Sequence, residues 1–146
     1  MILLLIIALV TKTGLATHYG FGWNHERHGG SGIYIDVGAP LVAHKTLPYG
    51  TIIKITNINE KSPGYKNSVK AIVFDHGPKA KSRIVDMMPL QLRQGLCRWK
   101  CDGVRVEIEV LDTSHQCTKY LCLRAKFGKY LEEKEAKEIG LNWYKR

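Results

Sequence analysis

The sequence predicts a mainly β protein, a small closed barrel with one short helix. Three observations carry that expectation. Several short segments alternate apolar and polar residues or are rich in β-branched residues, as strands do. Turn signals separate them at close intervals. The chain has 146 residues, 45% hydrophobic and 24% charged, which is the size and apolar content of one domain. A two-domain enzyme is excluded, and fourteen Gly and five Pro scattered as punctuation do not form a low-complexity tract.

The first segment stands apart. Ile2 to Val10 is an unbroken apolar run, too short to span a hydrocarbon core that needs about twenty helical residues. Its length suits the apolar region of a secretory leader, with residues 1–13 removed. The alternative is a buried first strand. Removal would take away only Lys12 among the charged residues, so the basic character belongs to the domain that follows.

From Thr51 to Ile58 the residues are β-branched and bounded by Pro48-Tyr49-Gly50, which predicts a strand. Asn59 to Asn67, with Pro63-Gly64 inside it, reads as a long hairpin loop. Ser68 to Asp75 alternates, with Val69, Ala71, Val73 and Asp75 on one face and Lys70, Ile72, Phe74 and His76 on the other. Asp86 followed by Met87, Met88 and Pro89 has the pattern of a helix start, with the carboxylate capping first-turn N–H groups and Gly95 ending the helix. Val104 to Val110 alternates most regularly, and this strand is expected to close the sheet. Tyr130 to Ile139 carries charge pairs four apart, such as Glu133 and Lys137, and reads as a solvated helical appendage.

All four cysteines lie late, at Cys97, Cys101, Cys117 and Cys122, and allow three pairings. In an oxidising compartment two bridges would staple the C-terminal third to the domain. Zinc is the competing reading, although C-x3-C and C-x4-C are loose spacings for a zinc ribbon. No cysteine precedes Cys97, so neither a lipidated cysteine after the leader nor a stable membrane anchor is expected. The net charge of +9 favours an anionic partner. No basic helix or aromatic–basic interleaving marks nucleic-acid binding, and the expected partner is instead a wall polymer.

At five places the residues resemble a known family. Gly14-Leu-Ala-Thr-His-Tyr-Gly20, Ala43-His-Lys-Thr-Leu-Pro-Tyr-Gly-Thr51, Thr56-Asn57, Asp75-His-Gly-Pro78 and Arg83-Ile-Val-Asp-Met87 resemble the rare lipoprotein A (RlpA) family, in family order and over about residues 14–111. That resemblance implies a six-stranded double-psi β-barrel, the architecture of expansin-type domains, followed by a disulfide-stapled, partly helical extension over 112–146. It also implies a secreted or periplasmic wall protein that acts on glycan strands, as peptidoglycan lytic transglycosylases do. No cofactor is called for.

Glycosidic cleavage needs a carboxyl group to protonate the leaving oxygen. A lytic transglycosylase manages with one such group, because the sugar's own 6-hydroxyl attacks. Asp75, at a strand end before a Gly-Pro turn, is the leading candidate, and the resemblance adds His44 as a substrate contact or tuning group. A turn-capping role is the bland alternative for Asp75. Tyr19, Trp23, Tyr34 and Tyr49 flank the matched blocks and offer faces to sugar rings, with His76 beside them. His18, His25 and His28 suggest a metal site, but a Gly-rich loop offers poor ligand geometry, so no metal is expected.

Two positions depart from the family. Its S/N-G-E-x-F/Y-D is Ser31-Gly-Ile-Tyr-Ile-Asp36 here, with Asp36 at the family spacing to His44, so the glutamate implicated in catalysis is replaced by Ile33. Its D-R-G-P is D-H-G-P, with His76 in place of arginine. Glu26, in the preceding Gly-rich loop, is a candidate replacement carboxylate, with a solvated loop charge as the competing reading. The alternative expectation is therefore a non-catalytic polysaccharide-binding or expansin-like loosening module.

Overall fold

The computed structural model describes residues 12–20, 25–99 and 101–146. The apolar run 2–10, nearly all of the expected leader, and Trp23 lie outside the described residues. Six strands close into a barrel: β1 (Lys12–His18), β2 (Leu41–His44), β3 (Ile52–Asn57), β4 (Ser68–His76), β5 (Arg83–Met87) and β6 (Val104–Asp112). Around the ring they run β1-β5-β2-β4-β3-β6. The β1/β5 and β2/β4 pairs are parallel and the other four are antiparallel. As its alternation predicts, β6 closes the barrel by pairing with both β1 and β3. Lys12 and Thr13, grouped with the leader on sequence, are the first residues of β1, opposite Ile108 and Glu107.

Two apolar layers hold the fold. Inside the barrel, Ile53 and Ile55 of β3 meet Val69, Ala71 and Val73 of β4 and Val106 of β6. Each of these isoleucine and valine side chains, fully buried, stabilises by about 1.5–3 kcal/mol. The other face of β4 is buried as well: Ile72 and Phe74 lie in a second cluster with Ile33 and Leu41. That second cluster is completed by the C-terminal segment, through Leu123 of α2 (Cys122–Phe127), Ala136 of α3 (Glu133–Glu138), and Leu131 and Leu141.

Four expectations are corrected here. Asp86 does not start a helix; it lies in β5, where it accepts from Arg83 at 2.8 Å and from the Thr17 hydroxyl. The strand register wins because this network ties β5 to β1, and the helix α1 (Gln91–Leu96) follows Pro89, wound with a Cys97 N–H to Leu92 carbonyl bond of 3.1 Å. Gly95 does not end that helix. It sits inside it, where a Cβ would come within 2.3 Å of Val69 Cγ1, so its smallness lets helix and barrel touch.

The C-terminal segment is no solvated appendage either, since Leu131, Ala136 and Leu141 are 2% exposed or less. Finally, the cysteines form two local bridges, Cys97–Cys101 and Cys117–Cys122, with no thiol left free for zinc. Neither bridge joins the extension to the barrel; apolar packing and backbone hydrogen bonds do that. Among the described residues no helix is long and apolar enough to cross a membrane.

Candidate functional site

The motif residues converge at the end of β4. Asp75 is partly exposed there and three donors meet its carboxylate. Tyr19, just beyond β1, donates its hydroxyl to Oδ2 at 2.8 Å. Oδ1 accepts from the Gly30 N–H at 3.0 Å and from the His76 N–H at 2.9 Å. The 25–34 loop can approach so closely because position 30 is glycine: a Cβ there would fall 2.1 Å from the Tyr49 hydroxyl oxygen. The Ser31 N–H, bonded to the Phe74 carbonyl at 3.2 Å, continues that contact.

Two tyrosines stand near this carboxylate, both neutral, and Tyr19 is its hydroxyl donor. Burial, then the charge of Asp75, pushes the Tyr19 hydroxyl far above its ordinary pKa. The same two causes, in the same order, raise Tyr49. Tyr49 is 9% exposed and stacks on the exposed His76 ring at 4.3 Å. His76 Nε2 lies 3.3 Å from the Leu47 carbonyl. Tyr19 and Tyr49 therefore brace Asp75 and His76, and of these aromatic side chains His76 is the one presented to solvent. Asp75 makes the turn contact through the His76 N–H and also accepts from Gly30, on a loop it does not belong to.

His44 stands on the neighbouring strand but is turned to other partners. Its Nδ1 accepts the N–H groups of Thr46 at 3.2 Å and Leu47 at 3.1 Å. That leaves the ring proton on Nε2. Burial, then the nearby Lys12, His76 and Lys45, lowers its pKa to about 4. His44 is thus neutral and a donor, and among the described residues it makes no hydrogen bond to Asp75.

The remaining candidates separate. His25 Nε2 lies 3.5 Å from Asp36, whereas His28 packs against Tyr34 at 5.2 Å, so the His-x-x-His pair does not converge. Among the described residues no group of three His, Cys, Asp or Glu side chains could hold a metal ion. Asp36 accepts the Gly38 N–H at 3.0 Å, a turn contact. Glu26 is exposed on its loop. Ile33 is 1% exposed and belongs to the cluster that the extension completes. The extension lies against this loop through Leu121 N–H to the Gly30 carbonyl at 3.2 Å and Arg124 N–H to the Ser31 carbonyl at 3.1 Å.

Sequence reasoning missed Gly30 as a donor to Asp75 and Tyr19 as its brace. The Gly29-Gly30 doublet was the available signal for the first. Nothing local signals the second, because the contact joins residues 56 apart.

Chemically, the site offers one carboxyl group with a hydroxyl donor fixed on one oxygen and peptide N–H groups on the other. No second carboxylate hydrogen-bonds within it among the described residues. Such a site suits single-carboxyl proton transfer better than a two-carboxylate hydrolysis.

No protein-family model matches the chain. It is 38% identical over 77 residues to the endolytic peptidoglycan transglycosylase RlpA of Campylobacter jejuni, covering 53% of this chain and 26% of that protein. It is 32% identical over 108 residues to the protein of the same name in Rickettsia bellii, covering 68% of this chain and 45% of that one. The chain thus spans less than half the length of these relatives. Among solved structures, the Streptomyces papain inhibitor superposes with a TM-score of 0.50 at 17% identity, over 70% of this chain and 94% of the inhibitor, a likeness of fold alone. With the five sequence blocks gathered around one closed six-stranded mixed barrel, the chain is similar to the RlpA proteins over that barrel and has the fold of a double-psi β-barrel.

Proposed function

We propose that this protein acts on the glycan strands of peptidoglycan, with Asp75 as the proton-transfer group. The observation that carries this reading is the convergence of Tyr19, Gly30 and His76 on the Asp75 carboxylate. In the cleaving step a protonated Asp75 gives its proton to the glycosidic oxygen as the bond to the anomeric carbon breaks. The 6-hydroxyl of the same sugar then attacks that carbon and gives its proton to Asp75, so an anhydro-sugar end forms without water. Tyr19 holds Oδ2 in place and, through its hydroxyl, steadies the carboxylate that exists between the two proton transfers. His44 serves through its Nε2–H as a hydrogen-bond donor and not as a base, because Nδ1 is already committed to the Thr46 and Leu47 amides.

Relatives named as peptidoglycan transglycosylases support the polymer assignment. The two disulfides suit an oxidising compartment, in keeping with a secreted or periplasmic wall protein. We divide the chain into a leader before Lys12, the barrel to about Leu111 and the extension beyond, since a cut after Thr13 would remove two residues paired in β1.

The test is incubation with purified peptidoglycan and mass spectrometry of the soluble products. Anhydro-ended fragments are expected, and Asp75→Asn is expected to lower their release by about 10²–10⁴-fold, the usual worth of a general acid, while pelleting with the polymer is kept. One observation favours a second reading: the buried Ile33 stands where the family has its glutamate. A protein that pellets with the polymer but releases no product at high concentration would establish that reading, a non-catalytic wall-polysaccharide module of the expansin-like kind.

A further inference from the structure

A second feature lies outside the Asp75 constellation. Between the ends of β1, β2 and β5 is an open cavity of about 200 Å³ whose lining includes Lys12, His44, Lys45, Lys81, Ser82 and Arg83. No acidic side chain lines it among the described residues. Arg83 is neutralised by Asp86 at 2.8 Å. Lys45 is positioned by the carbonyls of Ala80 at 2.6 Å and Lys81 at 3.3 Å, which leaves one of its three N–H donors for another partner. Lys12 and Lys81 pair with no carboxylate among the described residues. Three ammonium groups therefore surround the cavity without local compensation.

The second, independent observation is His44. This side chain is 6% exposed, lines the same cavity, and presents a Nε2–H that finds no acceptor among the described residues. Beside apolar Ile84, the lining offers cations, the His44 Nε2–H and the hydroxyls of Thr13, Thr46 and Ser82, and a guest with several acceptor oxygens and a negative charge engages these donors together. The cavity is smaller than the roughly 300–1,000 Å³ of sites that enclose whole drug-sized ligands. It suits a terminal charged group better than a whole saccharide.

We propose that this cavity is an oxyanion-binding site for a phosphate or carboxylate group of a wall polymer, held by Lys12, Lys45 and Lys81 and by the Nε2–H of His44. The wall-polymer source rests on the function proposed above; the oxyanion chemistry does not. The two share the Nε2–H of His44 and are told apart through Asp75, which takes no part in the cavity's lining.

The experiment follows the His44 imidazole resonances of the full chain by NMR during titration with inorganic phosphate, N-acetylmuramic acid and uncharged N-acetylglucosamine. A saturable shift with phosphate alone assigns the site to phosphoryl groups, with N-acetylmuramic acid alone to sugar carboxylates, and with both to either oxyanion. The double variant Lys12→Glu, Lys81→Glu reverses two exposed charges and is expected to weaken binding at least about tenfold, or ~1.4 kcal/mol, with an unchanged backbone spectrum elsewhere. Asp75→Asn is expected to bind as the parent does, so a chain without lytic activity still tests the site. No shift with either anion, an equal shift with N-acetylglucosamine, or undiminished affinity in the double variant overturns the proposal.

Discussion

His44 illustrates how a residue's chemistry is decided by its partners and not by its type. Two amide N–H groups occupy its Nδ1, and its surroundings are buried and positive, so the folded protein holds it neutral down to a pKa of about 4. The sign of the resulting pH dependence follows from linkage. Between the ordinary histidine value of 6.5 and about 4 the unfolded chain takes up a proton that the folded chain refuses. Stability from this group is therefore complete above pH 6.5 and falls as pH drops towards 4, by on the order of 2 kcal/mol once solvent screening is allowed for. His44→Asn places an amide oxygen near the Nδ1 position and removes the titration. Urea denaturation at pH 7 and pH 4.5 should show the parent losing more stability than the variant; equal losses would contradict the assignment.

Among the elements, the C-terminal extension departs furthest from its sequence pattern. Its charge pairs are real, with Lys137 and Lys145 reaching Glu133 at 3.4 and 3.2 Å, but they decorate an outer face. The inner face carries Leu123, Leu131, Ala136 and Leu141 onto Ile33, Ile72 and Phe74. Short helices of six residues do not persist alone in water, so this apolar contact is what keeps α2 and α3 formed. Ile33 belongs to that contact, which gives the missing glutamate a structural meaning: a carboxylate at this position would be buried beneath the extension. Ile33→Glu is accordingly expected to cost about 3 kcal/mol or more, to expose residues 113–146 to limited proteolysis, and to bring no gain in glycan cleavage. Urea denaturation with timed proteolysis checks this; a stable, protease-resistant variant would refute the packing argument.

For the molecule as a whole, stability rests on the closed barrel and its two apolar layers, with the disulfides as local additions. The bridged cysteines are 4 and 5 residues apart, so each bridge closes a short loop and loop entropy assigns it only about 2 kcal/mol. Reduction is therefore expected to lower the melting temperature while leaving the strands intact. Far-ultraviolet circular dichroism melts with and without dithiothreitol decide the matter, and loss of the strand signal at 25 °C on reduction would show that the bridges hold the barrel together. The positive charge is also distributed unevenly at this scale. Of a net +9, three lysines gather at the cavity beside His44.

By itself, the sequence determined that there is one mainly β domain, that β3, β4 and β6 lie where they do, and that Asp75 stands at a strand end before a turn. Those features are legible because alternation and turn chemistry act between residues a few positions apart. The five motif blocks extended that reach to the barrel family. Tertiary structure alone decided that Tyr19 and Gly30 meet Asp75 across 56 and 45 residues, that His44 faces a cationic cavity and makes no bond to the carboxylate, and that the extension buries Ile33. It also chose the strand register over the helix cap for Asp86, because Arg83 and Thr17 supply partners that no local pattern contains. Such contacts depend on which surfaces the closed barrel brings together, and side-chain periodicity carries no information about that.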